Sequence, residues 1–200
     1  MTDNQVRTIH LAASVLLGYP DDKLFEAVPM LRMAVSTLPA TSLTAFLDHL
    51  DTVTPGELAE HYVATFDLKR RCCPYLTYYA CGDTRKRGMA LLRFKHAFRE
   101  AGFEPADGEL PDHLAVVCEL SARGGTAQAV RLLRENRPGL ELLSQGLASE
   151  RSPYRHIVDA VIATLPPPTA RDRLAAARLA ADGPPAEEVG LEPYAIGGDR

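Results

Sequence analysis

Three of the four cysteines in this 200-residue chain, Cys72, Cys73 and Cys81, fall in the stretch "DLKRRCCPYLTYYACGDTRKRG" (67–88), with three of its seven tyrosines and two basic clusters. Such a combination could hold a metal ion, carry thiol chemistry or bind nucleic acid. Spacing argues against the metal. Zinc sites use pairs such as Cys-x2-Cys, because a short loop must turn two thiolates toward one ion. Cys72 and Cys73 are adjacent, about 100° apart if helical, and no second pair exists. Chemically idle packing thiols are the simpler reading, and no metal is expected. Tyr75, Tyr78 and Tyr79 among basic residues could stack on single strands. Their i, i+3, i+4 spacing, however, is that of a helix face packing into a core. A formal net charge of −4 and the absence of a recognised binding motif also argue against a nucleic-acid partner.

Classical catalysis finds no support. The chain has no Gly-x-Ser-x-Gly, no phosphate-cradling glycine loop and no His-Glu-x-x-His. Asp112 and His113 read as a helix start, the carboxylate complementing the dipole and the imidazole capping or packing. Charge is unevenly distributed. Residues 69–99 carry nine basic side chains and one acidic one, Asp83, a net +8; against −4 for the whole chain, this leaves −12 elsewhere. Arg85, Lys86 and Arg87 open a predicted helix, where cations oppose the dipole. They are expected to face solvent and to await a partner, with a merely solvated helix face as the alternative.

The elements that must position these residues are helices. Val6, Ile9, Ala13, Leu16 and Leu17 recur at helical spacing before Gly18 and Pro20. Further helices are predicted over 22–38, 42–53, 55–66, 84–101, 111–123, 126–136, 139–149, 153–165 and 169–181, each bounded by proline, glycine or a Ser/Thr cap. The 84–101 helix offers two apolar stripes, Met89–Leu92–Phe98 with the stem of Lys95, or Leu91–Phe94–Phe98. Pro111 suits a first helical position. No alternating strand pattern and no internal repeat is found. The predicted fold class is all-α, a compact multi-helix globule over 1–182, followed by a Pro/Gly-rich tail, 183–200, expected to be mobile. The N-terminus lacks a signal-peptide layout, and no run approaches the roughly 20 apolar residues of a membrane span. A cytoplasmic location, with reduced thiols and no membrane insertion, is therefore expected.

"HYVATFDLKRRCCPYLTYYACGDTRKRGMALLRFKHAF" followed by "ELPDHLAVVCEL" resembles the NarJ-type chaperones of respiratory nitrate reductase, within the TorD/DmsD group of redox-enzyme maturation proteins. Three features carry the resemblance: Tyr62, Phe66 and Asp67 as Tyr-x-x-x-Phe-Asp; "GDTRKRG", 82–88; and "LPDHL", 110–114, with Glu119 following. The cysteines are not part of that pattern.

The resemblance implies a TorD-like helical fold and a dedicated chaperone that is not an enzyme. Such a protein binds the N-terminal segment of the nitrate reductase catalytic (alpha) subunit and assists molybdenum cofactor insertion before membrane assembly, holding no cofactor tightly itself. A monomer or weak dimer is expected. A helical globule can offer an apolar groove to an amphipathic client helix, and acidic residues suit a basic client. The client-binding residues expected are Tyr62, Phe66 and Leu114 as apolar contacts, with His113 beside them. Glu60, Asp67, Asp112 and Glu119 are the expected charge partners, and Arg85, Lys86 and Arg87 a further partner contact. Tyr62 and Phe66, at i, i+4, equally suit a core. A nucleotide- or small-ligand-binding regulator and a thiol or metal redox protein are the rival classes.

Overall fold

The computed structural model describes residues 1–38, 41–105 and 108–183; the expected 183–200 tail lies, but for Gly183, outside the described residues. Each predicted helix is present. α1 (Asp3–Leu16) starts at a capping box in which the Thr2 hydroxyl accepts from Gln5 N while Gln5 caps Thr2 N. α2 (Asp22–Val35) and α3 (Thr41–Leu50) follow, and α4 (Pro55–Tyr62) opens at a second box, Thr54 with Glu57, with Pro55 in its first turn. Where a helix to residue 66 was predicted, α4 widens after Tyr62 into a π-helical turn, Val63–Asp67. A 3-10 turn (Arg70–Cys72) and the short α5 (Tyr78–Cys81) lead to α6 (Arg85–Glu100). The remainder is α7 (Leu114–Ala122), α8 (Thr126–Glu135), α9 (Arg137–Ser149), α10 (Arg155–Ala163) and α11 (Ala170–Asp182). Among the described residues the only β-pairing is one isolated bridge, Tyr75 to His113.

One core unites these helices. α1 packs along α7, with α10 and α2 beside it, and α9 lies between α10 and α11. Tyr154, wholly buried, is ringed by Phe46, Tyr62 and Phe66 at centroid distances of 5.0, 5.8 and 4.9 Å. Cys72 and Cys118 are buried in the same core. α9 comes so close to the 3-10 turn that a Cβ at Gly146 would strike the Arg71 carbonyl, so glycine is required there.

One open choice is settled and two local expectations are corrected. α6 buries Ala90, Phe94, Ala97 and Phe98, in keeping with the second of the two stripes, with Leu91 half-buried, and leaves Met89 and Leu92 exposed. Tyr75 is not on one helix face with Tyr78 and Tyr79: it precedes α5 and pairs with His113. α7 begins at Leu114 rather than at Pro111, because His113 is the cap, its Nδ1 accepting from Ala115 N at 3.2 Å.

Candidate client-binding cleft

The two signature segments that lie apart in sequence are zipped together in space. Leu76 N donates to the Asp112 carbonyl at 2.9 Å, and Leu114 N to that of Pro74 at 2.9 Å. Between these bonds the Asp112 carboxylate, wholly buried, accepts from the Thr77 hydroxyl at 2.5 Å and from Thr77 N at 3.3 Å. Arg87 folds back from the first turn of α6 to complete the unit. Its guanidinium stands 3.7 Å from Asp112, bonds Asp83 at 3.3 Å and lies 5.1 Å over the Tyr75 ring. Tyr75 in turn meets the His113 imidazole edge to face at 5.1 Å. Burial lowers the pKa of His113, with Asp112 opposing in part, so the ring is neutral near pH 7 as its accepting Nδ1 requires.

This unit walls one side of an open cleft of about 510 Å3. α1 lines the cleft through Leu11, Val15 and the following Tyr19, and Tyr62 at the end of α4 joins them. Leu11, Tyr19 and Leu110 are 48, 56 and 40% exposed, an unusual amount of apolar surface to gather around one depression. Tyr62 is fixed from three sides: against Tyr19 at 5.5 Å, against Phe66 at 4.9 Å, and through its hydroxyl, which donates to the Leu17 carbonyl at 3.4 Å. Burial, assisted by Asp67 and Tyr75, pushes its phenol up to about 12. Among the described residues the ionisable lining is Glu109, Glu119 and neutral His113 with the phenols of Tyr19, Tyr62 and Tyr75, the last two raised by burial; none is a lysine or arginine.

The expected site residues therefore divide. Tyr62, His113 and Glu119 line the cleft. Phe66 and Leu114, 8 and 0% exposed, are core rather than groove, because each faces the packed aromatic and aliphatic interior. Asp112 cannot offer negative potential to a client, since its carboxylate is buried in bonds to Thr77. Asp112 also precedes α7, so it shares no helix face with Glu119, which sits 3.5 Å from Arg123 and is still 47% exposed. Glu60 and Asp67 are exposed outside the lining. Arg85 and Lys86 are exposed as expected, but Arg87 is turned inward by Asp112, its side chain only 19% exposed. Leu11, Tyr19, Glu109 and Leu110 were not anticipated. The available signal was Leu11, an apolar residue off the predicted stripe of its own helix.

A larger cleft, about 800 Å3, lies between α5, α9 and α11. It is rimmed by Arg70 and Arg71, contains none of the expected site residues, and ends at Gly183, where the described chain stops. Cys72 and Cys73 lend it no chemistry. Cys73 is pushed up to about 11 by burial and Cys72 is raised by burial and Glu150, so both thiols are protonated and poorly nucleophilic near neutral pH. No group of three or more His, Cys, Asp or Glu among the described residues is placed to hold a metal ion.

Comparison with known proteins gives these features a context. A family model described as nitrate reductase delta subunit matches residues 35–158, which include all of the zipped unit and Tyr62. The chain is 37% identical over 152 residues to the nitrate reductase-like protein NarX of Mycobacterium tuberculosis, covering 76% of this chain but 23% of that protein. It is 29% identical over 168 residues to the probable nitrate reductase molybdenum cofactor assembly chaperone NarJ of Bacillus subtilis, covering 82% of this chain and 90% of that one. Against the nitrate reductase molybdenum cofactor assembly chaperone NarJ of Escherichia coli it is 31% identical over 159 residues, covering 74 and 66%. The chain thus spans less than a quarter of the length of the NarX relative and most of that of the Bacillus chaperone.

Proposed function

The chain belongs to the nitrate reductase delta subunit family, and on that premise we propose that it is a system-specific chaperone, not an enzyme. It holds the N-terminal segment of a nitrate reductase catalytic subunit and assists molybdenum cofactor insertion before membrane assembly. The observation that carries this reading is the cleft between α1, Tyr62 and the Tyr75–His113 bridge: apolar, open, acidic at its edge and, among the described residues, free of lysine and arginine in its lining. An amphipathic client helix lays its apolar face over Leu11, Tyr19, Tyr62 and Leu110, and its basic residues meet Glu109 and Glu119. Recognition is then mainly apolar, with charge setting orientation and rate of encounter.

The molybdenum cofactor is cargo passed to the client rather than a group this chain retains. A cytoplasmic location fits that order of events, as does the finding that no helix among the described residues is long and apolar enough to cross a membrane. Calorimetric titration with the N-terminal peptide of the catalytic subunit tests the reading. Tight, stoichiometric binding is expected, with Glu109→Gln plus Glu119→Gln weakening it several-fold and flattening its salt dependence. A peptide that does not bind, or binds the double variant identically at every salt concentration, overturns the assignment of this cleft.

A further inference from the structure

The client cleft leaves the basic window unused, and its outer part is concentrated on α6. That helix turns Ala90, Phe94, Ala97 and Phe98 inward. At about 100° per residue, Met89, Leu92, Arg93 and His96 then share one outward arc, with Lys86 at one edge and Lys95 and Arg99 at the other. Lys86, Arg93, Lys95 and Arg99 are all exposed, and between them Met89 and Leu92 stand 69 and 51% exposed. Glu100, the one acidic residue of α6, is occupied by Arg131 at 2.5 Å and His96 at 3.4 Å. Among the described residues no carboxylate pairs with Lys86, Arg93 or Lys95. The ridge is convex, and its residues line neither cleft described above.

We propose that the outward face of α6 docks this protein peripherally on an anionic phospholipid surface. The shape selects the class of partner. Specific protein interfaces are depleted in lysine at their centre and lose affinity by immobilising long side chains. A fluid layer of headgroups conforms to a convex ridge and leaves lysine and arginine mobile. Basic side chains meet the phosphates while Met89 and Leu92 enter the headgroup boundary without spanning it. The charge imbalance orients the molecule. Lys86, Arg93, Lys95 and Arg99 draw this face toward an anionic surface, whereas the cleft, edged by Glu109 and Glu119, is not drawn to it. The proposal does not depend on the client reading.

Co-sedimentation of the full chain with vesicles tests it. Vesicles containing phosphatidylglycerol should retain the protein at about 0.05 M salt and release it near 0.5 M, where screening is strong. Phosphatidylcholine vesicles should not retain it. Lys86→Gln with Arg93→Gln and Lys95→Gln should cut retention at least roughly tenfold, since each basic side chain near such a surface contributes about fivefold. Met89→Ser with Leu92→Ser should reduce it less, and helix content by circular dichroism should stay at the parent value in both variants. Equal retention by the two lipids, or undiminished retention of the triple variant, overturns the proposal. So does α6-dependent binding of soluble polyglutamate with the vesicles unbound, which would assign the ridge to an acidic protein.

Discussion

The proposed client cleft and the outer ridge of α6 are built on opposite principles, although Arg87 and its neighbour Lys86 are adjacent in sequence. At the cleft, polar groups are withdrawn inside to hold apolar groups outside: Asp112, Thr77 and Arg87 form the support, and Tyr75, Leu110 and Tyr62 are what a ligand meets. On the ridge, apolar groups form the support, Phe94 and Phe98 among them, and charge is what a ligand meets. A surface that recognises shape needs a rigid, preorganised frame. One that recognises charge needs only that its side chains stay hydrated and mobile. Removing the buried polar support should accordingly cost stability at the cleft, whereas removing the exposed charges should leave it intact on the ridge.

The largest effect is expected from Asp112→Ala. It leaves Arg87 without its buried partner and the Thr77 hydroxyl without its acceptor, and removal of one member of a buried pair costs about 3 kcal/mol or more. Urea unfolding should show that loss, together with loss of peptide binding. A midpoint close to the parent's would reduce the zipped unit to an incidental contact.

Acid should act nearly as strongly on the other wall of the cleft. His10, on the inner side of α1, is wholly buried, its Nε2 hydrogen-bonded to the Thr164 hydroxyl at 2.9 Å, and burial lowers its pKa to about 4. The unfolded ring, with a pKa near 6.5, takes up a proton that the folded ring refuses until about pH 4. Stability is therefore complete above about pH 6.5 and falls as pH drops through that window, by about 3 kcal/mol in all. His10→Gln should remove most of this dependence in unfolding curves between pH 7 and 4, and persistence of the full dependence would place its origin elsewhere.

A smaller change should separate recognition from folding. Leu11→Ser with Leu110→Ser removes apolar surface that is already exposed, so unfolding should shift by no more than about 0.5 kcal/mol. Peptide affinity should fall about tenfold, near 1.4 kcal/mol. Affinity retained in this variant would move the client contact away from the α1 wall.

The smallest effect on folding is expected on the ridge. Replacing Lys86, Arg93 and Lys95 by Glu should change unfolding free energy by less than about 0.5 kcal/mol, since they are exposed and α6 is held by its inner face. Peptide binding should be unaltered. Destabilisation comparable to that of Asp112→Ala would erase the distinction between the two regions.

Helix positions were determined almost entirely by local sequence. Thr54-x-x-Glu57 before an apolar run, Pro55 in the first turn, and the glycines and prolines after 17, 123 and 165 act within one or two helical turns, so no distant residue is needed to read them. The acidic and basic halves were equally legible, because charge adds along a chain whatever its fold. What only the tertiary structure decided was which polar residues are buried. Asp112 and Arg87 look like surface charges in their own segments. They become a buried support because Thr77, 35 residues from Asp112, meets it across a bridge that no local pattern announces. Leu11 and Tyr19 came to line the cleft by the converse route, left uncovered when α1 chose α7 as its neighbour. Helical periodicity places a residue on a face at the scale of one turn, whereas burial depends on which face of another element arrives there, and that is settled by contacts between segments far apart in the chain.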